Sequence, residues 1–387
     1  MKKLVIKNIG QILSGKLEDP IFDGDCIIAI DGKITEWGAK KDLDCEGATT
    51  LIDAHGVTVM PGLIDSHIHP VIGDYTPRQQ QLNWIDSTLH GGVTTLISAG
   101  EVHMPGRPKD IVGLKAMAIA AQRWYENFRP SGVKVHAGAP VIEHGMVEQD
   151  FKDLAEAGVT LLGEVGLGTV KDGKTAQQMV GWARKYGIQS TIHTGGPSIP
   201  GSGLIDADMV IETGTDVIGH INGGHSALPD DQIICLCESC SSAFEIVHNG
   251  NERSAVLALN TARELGKLDQ VILGTDGPAG SGVQPLGIMR MVAMLSAFGN
   301  VPAEKAFCFG HGNTSRQRNL NTGLIEAGYA ADFVLLDKAQ HAPGKTMLES
   351  VQLGNLPGVG MTVIDGEVTS GRSRNTPPAD HLPEHIK

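Results

Sequence analysis

Eight short apolar runs, most of them rich in β-branched residues, recur between residues 60 and 277, and most are separated by helical patterns. They read "MPGLIDSHIH" (60–69), "VTTLISAG" (93–100), "KVHAGAPV" (134–141), "VTLLGEVG" (159–166), "IQSTIHTG" (188–195), "TDVIGHING" (215–223), "AFEIVHN" (243–249) and "QVILGTDG" (270–277). Strands that are apolar on both faces and alternate with helices belong to a parallel sheet covered on both sides. The pattern predicts an α/β protein whose eight strands close into a (β/α)8 TIM-like barrel. A doubly wound open sheet is the alternative, but no G-x-G-x-x-G follows the first strand. Helices are expected over 109–127, 148–157, 176–186 and 252–265. Within "ARKYGI" and "ARELGKLDQ", a glycine ends the helix before the next strand begins.

The two ends of the chain differ from the middle. The start holds short alternating runs, "KLVIKNI" and "DCIIAIDGKITEWG", the second with a hairpin signal at Asp31-Gly32. The end repeats the style in "ADFVLLD" and "GMTVIDGEVTSG", again around an Asp-Gly pair. The proline-rich "SRNTPPADHLPEHIK" that follows is expected to be an extended tail. At 387 residues the chain has room for one large barrel and a small companion. With 31 basic and 44 acidic residues, a net charge of −13 argues against nucleic-acid or anionic-membrane binding. The opening "MKKLVIKNIGQIL" is too short and polar for a secretory signal, so a reducing cytoplasm is the expected compartment. Three of the six cysteines cluster in "CLCESC" (235–240). They lie on an expected helix without a fourth ligand at metal-site spacing, so reduced, partly buried thiols are expected.

The chemistry is at the strand ends. Six of the eight runs carry a possible metal ligand at or near their C-terminal end: His67 and His69, Glu164, His193, His220, His248 and Asp276. In a barrel these ends form the active face. A period of two turns His67 and His69 to the same side, where two imidazoles can share one ion. Glu164 is the informative member. It ends an apolar strand with no Lys or Arg within five residues, and a buried carboxylate needs a partner, a proton or a metal.

The segments "VMPGLIDSHIHP", "GEVG", "TIHTGG", "IGHINGG" and "LGTDGP" resemble the metal-site sequence of the amidohydrolase superfamily. The resemblance covers most of the chain, and "GLIEAGYAADFVLLD" is similar to that family's return from barrel to small domain. It implies a composite β-sandwich built from residues 1–60 and 326–387 around a barrel at 61–325. It also implies two divalent ions, zinc and/or iron: His67, His69 and Asp276 on one, His193 and His220 on the other. Glu164 stands where many members carry a carbamylated lysine, which implies an unmodified carboxylate bridge. Asp276 would shuttle the proton of an attacking water.

Among the family's branches, the cyclic-amide hydrolases of nicotinate breakdown look most similar. That likeness implies ring opening of 6-oxo-1,4,5,6-tetrahydronicotinate to 2-formylglutarate and ammonia, by a cytoplasmic homo-oligomer, commonly a tetramer. The partner is then a small cyclic amide, with no nucleic acid or membrane. An N-acyl amino sugar deacetylase and a dihydroorotase-like cyclic amidase are the alternatives. A non-catalytic scaffold on this fold would be expected to have lost ligands, and all six positions are filled. Candidate substrate contacts are Arg107, His103, Tyr75, Asn222, His225 and His248.

Overall fold

The computed structural model describes residues 1–387 except Val102, His225 and Ala279–Ser281. Eight strands follow one another in the expected order: β1 Leu63–Ile68, β2 Val93–Ser98, β3 Lys134–His136 and β4 Leu161–Val165, then β5 Gln189–Ile192, β6 Val217–Ile218, β7 Ala243–Val247 and β8 Val271–Gly274. Strands β1 to β3 pair in parallel, as do β4 to β8. The Gly163 N–H donates to the Pro140 carbonyl (2.9 Å) across the seam between β3 and β4. A parallel bridge between Ile68 and Gly277 returns the end of β8 to β1, with Asp276 N–H donating to the His67 carbonyl at 2.9 Å. The sheet is a closed barrel, and the open doubly wound alternative falls away.

The strands are shorter than the apolar runs suggest. Strand β5 stops at Ile192, β6 at Ile218 and β8 at Gly274, so His193, His220 and Asp276 sit just past the last ladder bonds. His220 (φ 35°) and Asp276 (φ 58°) occupy the left-handed region, which is uncommon for side chains of this kind. Such local strain persists only where the surroundings over-determine it. At Asp276 they do: its N–H is bound by His67, and its carbonyl accepts from Asn249 Nδ2 at 2.8 Å.

Close approach of β8 to β1 depends on a missing side chain. A Cβ at Gly274 would lie 2.6 Å from His67 Cβ and 3.1 Å from its backbone nitrogen. We expect Gly274→Ala to cost about 1–3 kcal/mol in urea unfolding, because backbone must move to accept it. An unchanged midpoint would show that the two strands have room for a methyl group at this position.

Helices pack outside the barrel. Asp110, Asp172, Asp206 and Asn251 each cap a helix with a side-chain oxygen that accepts a backbone N–H of the first turn. The first expected helix begins at Ile111 rather than 109, because Asp110 takes the cap position. "CLCESC" lies on the helix Asp230–Ser239 and just past it. Cys237 is buried, which pushes its thiol up to about 12, and all six cysteines are free. Among the described residues, no helix is long and apolar enough to cross a membrane.

Both chain ends enter the same two sheets. One has the order Glu384–His385, Thr50–Asp53, Lys3–Lys7, Cys26–Ile30, Lys33–Gly38. The other runs Glu367–Ser370, Gly358–Ile364, Phe333–Asp337, Thr58–Pro61, Gln11–Leu13, Ile21–Phe22. Between them lies a core containing Ile6, Ile27, Ile52, Val59, Phe333, Leu335 and Val363. The two Asp-Gly hairpins form as expected, with positive φ at Asp31, Gly32, Asp365 and Gly366. The last fifteen residues differ from a free extended tail. His385 and Glu384 pair antiparallel with Ile52 and Asp53, and Ala379 bridges Ala339. Backbone hydrogen bonds need no apolar pattern, so a polar, proline-rich segment can still be stitched to a sheet edge.

Candidate metal centre

Five buried residues and the largely buried Asp276 meet at the C-terminal mouth of the barrel. Two groups of ligand atoms, His67 with Glu164 and His220, and His67 with His69 and Asp276, each lie within 4.8 Å of one another. His193 joins through Glu164, its Nδ1 lying 3.1 Å from Oε1.

The outer nitrogens of three imidazoles decide what the inner ones can do. His67 Nδ1 donates to Glu245 Oε2 (2.5 Å), His69 Nδ1 to the Gly100 carbonyl (2.7 Å) and His193 Nε2 to the Gly196 carbonyl (2.9 Å). Each neutral ring therefore turns a lone pair inward. Those lone pairs face carboxylate oxygens. His69 Nε2 is 3.0 Å from Asp276 Oδ1 and 3.6 Å from Glu164 Oε2. His67 Nε2 is 3.7 Å from Asp276 Oδ1 and 3.8 Å from Glu164 Oε1, with no hydrogen-bond partner among the described residues. His220 Nε2 lies 2.8 Å from Glu164 Oε1. Acceptor facing acceptor in a buried site is repulsive unless positive charge lies between, from protons or from metal ions. The donor set fits divalent cations of borderline hardness.

The titration directions reflect the same crowding. Burial pushes the Glu164 carboxyl up, but when the inward nitrogens carry protons, hydrogen bonds from His193 and His220 and the charge of His67 and His220 outweigh it and hold it well below the usual range. Burial likewise favours neutral imidazole at His67, His69 and His193. Neighbouring carboxylates override it and raise all three: chiefly Glu245 at His67, Asp276 and Glu164 at His69, and Glu164 at His193. The two oxygens of Glu164 face different neighbours, Oε1 toward His193 and His220 and Oε2 toward His69. That is the disposition a bridging carboxylate needs.

Sequence reading missed the supporting layer. Glu245 lies in the middle of β7, fully buried; its Oε1 accepts from Ser66 Oγ (2.6 Å) and Arg318 Nη2 (3.0 Å) while Oε2 holds His67. Arg318 is buried inside the barrel, where it also donates to the Ser66 carbonyl and Thr191 Oγ1. Asp65 takes the Thr275 hydroxyl (2.6 Å) and the Thr275 and His67 amides, fixing β8 beside β1, and burial pushes its carboxyl up to about 7. Glu245 carried the same signal as Glu164, a carboxylate inside an apolar strand. Its partner Arg318 is 73 residues away, which only the fold reveals.

This triad supports a stability prediction. Glu245→Leu should cost about 3–5 kcal/mol in chemical denaturation, because it leaves the Arg318 charge buried without its counter-charge. Adding Arg318→Met should recover much of that loss. Additive losses in the double variant would show that the pair is not coupled.

The substrate candidates scatter. His103 packs edge-on against His69 (ring centroids 4.5 Å), and its Nδ1 accepts from Arg78 Nη1 at 2.9 Å. Burial, with the His69 charge, pushes its imidazole down to about 3. Tyr75 is half-buried in the loop after β1, and His248 is half-buried past the end of β7. Asn222 differs from the expected lining role: it is fully buried, and its amide both donates to and accepts from the Val247 backbone. His225 lies outside the described residues. Arg107 ends the loop after β2, with a nearly buried side chain beside Glu143.

Comparison with known proteins gives this arrangement a context. The family model described as "Amidohydrolase family" matches residues 58–369. An enamidase from Eubacterium barkeri is 44% identical over 98% of this chain and 98% of its own. A crystal structure of enamidase, described as a new member of the amidohydrolase superfamily, superposes with a TM-score of 0.97 at 43% identity over 100% of both chains. A dihydroorotase from a Wolbachia strain is 23% identical over 60% of this chain and 50% of its own.

Proposed function

The chain belongs to the amidohydrolase family, and we propose that it is an enamidase-type hydrolase that opens the ring amide of 6-oxo-1,4,5,6-tetrahydronicotinate. The observation that carries this reading is the likeness to an enamidase along essentially the whole of both chains. The site chemistry alone would serve many hydrolyses.

In this reading His67, His69 and Asp276 would hold one divalent ion and His193 and His220 a second, with Glu164 available to both. Zinc and iron(II) both suit such imidazole and carboxylate donors. When bound, divalent ions lower the pKa of water and polarise a carbonyl, the two things amide hydrolysis lacks at neutral pH. The chain's own groups do the rest. The His67–Glu245–Arg318 chain and the His69–Gly100 bond keep two imidazoles aimed inward. Asp276, oriented by His69, accepts a proton from the attacking water at a carboxylate oxygen and delivers it to the leaving ring nitrogen. Ring opening consumes one water. The liberated enamine consumes a second as it releases ammonia, leaving the aldehyde of 2-formylglutarate. The family resemblance extends the reading to a homo-oligomer, which sedimentation equilibrium would measure directly.

The test is turnover of 6-oxo-1,4,5,6-tetrahydronicotinate by protein loaded with zinc or iron(II), following ammonia and aldehyde together, beside L-dihydroorotate and N-acyl amino sugars. Equimolar ammonia and aldehyde support the reading. Turnover confined to dihydroorotate or an acyl sugar overturns it.

A further inference from the structure

Outside the ligand cluster, the barrel mouth carries a second polar pocket of about 220 Å³. Its walls include Arg107, Lys109, Glu143, Thr169 and Lys171, three cationic residues against one carboxylate. The Arg107 side chain is only 8% exposed, yet its Nη1 makes no hydrogen bond among the described residues; the nearest anion, Glu143 Oε1, stands 3.5 Å away. Glu143 is itself engaged, its other oxygen accepting the Thr169 N–H at 2.7 Å. A buried guanidinium N–H whose nearest acceptor is an ion-pair partner at 3.5 Å, without a hydrogen bond, is poorly satisfied and leaves room for a better acceptor.

Several loops that wall the pocket also carry or follow residues of the metal cluster or its neighbours. The loop after β2, which holds Arg107, also carries His103, whose ring meets His69 edge-on. Thr169 and Lys171 follow Glu164 on the chain after β4, and the Lys171 ammonium bonds the Gly166 carbonyl (2.9 Å) two residues past Glu164. Pro200 and Gly201 belong to the loop that follows His193, and Glu143 to the loop after β3. Four loops, three of which carry or follow residues of the metal cluster or His103 beside it, thus converge on an Arg107 Nη1 that lacks a hydrogen bond.

We propose that this pocket is an anion subsite in which Arg107, supported by Lys171, receives the ring carboxylate of the cyclic amide. The inference rests on the enamidase-type reading for the identity of the anion. Arg107 supplies an N–H donor and orientation, and Lys171 adds a point charge. Specificity follows, because a neutral ring would leave the Arg107 N–H unpaired.

The experiment is calorimetric binding to the metal-loaded protein of 6-oxopiperidine-3-carboxylate and of its uncharged carboxamide. The wild type is expected to prefer the acid by about tenfold or more. Arg107→Met should lower acid affinity by about 10- to 100-fold and bring the acid-to-amide ratio toward one, the range of one lost charged hydrogen bond. Arg107→Lys should restore part of the ratio. Lys171→Met, a change at an exposed residue, repeats the test should the Arg107 variants misfold. Equal loss for acid and amide in the variants, or no preference in the wild type, overturns the subsite. Turnover is read separately: absent ring hydrolysis with the acid preference intact sinks the reaction but upholds the pocket.

Discussion

Glu164→Ala is expected to leave the purified protein with at most one tightly held divalent ion per chain and with ring-opening activity near background. Its two carboxylate oxygens face different imidazoles, Oε1 toward His193 and His220 and Oε2 toward His69. Alanine removes both at once. The imidazoles would then lose the anion that balances two cations, so a second ion would have only neutral ligands left. Loss of an outer partner of a metal ligand typically weakens affinity by about 10- to 100-fold, and loss of a shared inner carboxylate should exceed that. Metal analysis after exhaustive dialysis is the measurement, since it does not depend on knowing the substrate. Two ions retained per chain would remove Glu164 from the bridge.

Asp276→Asn should lower kcat by about 100- to 10,000-fold, the range over which a positioned general base contributes. Asparagine keeps the shape and one carbonyl oxygen but cannot accept the proton. The backbone around it is held independently of the side chain, by His67, Asn249 and the β8–β1 closure. The substitution should therefore leave the fold in place. Metal content is read on the same preparation. A lost rate with metal retained isolates proton transfer, and loss of both assigns Asp276 chiefly to holding the ion. Survival of both would reject the assignment.

Much of this site was legible because its residues stand at predictable points of a periodic pattern. His67 and His69 sit two apart on a strand and so share a face, and the mouth of a parallel barrel collects whatever stands at strand ends. Glu164 was conspicuous as an uncompensated charge in apolar surroundings. Glu245 had the same signature but lies in mid-strand, where a reading focused on strand ends passed over it. Asn222 misled for a related reason. It follows a ligand on the active face, but its amide satisfies the backbone of the neighbouring strand, a need invisible until the two strands are adjacent.

By itself the sequence determined the local and periodic features: eight strands, the Asp-Gly hairpins, the helices between strands to within a few residues, and the His, Asp and Glu residues at the barrel mouth. These depend on side-chain spacing over a few residues. Tertiary structure decided what depends on distant segments meeting. It placed Arg318 inside the barrel against Glu245, bound the polar C-terminal segment to the strand Thr50–Asp53, and set Arg107 beside Glu143 without a hydrogen bond for its Nη1. Burial and partnering of a charge are properties of three-dimensional neighbours, and the cost of an unpaired one arises only once water has been excluded.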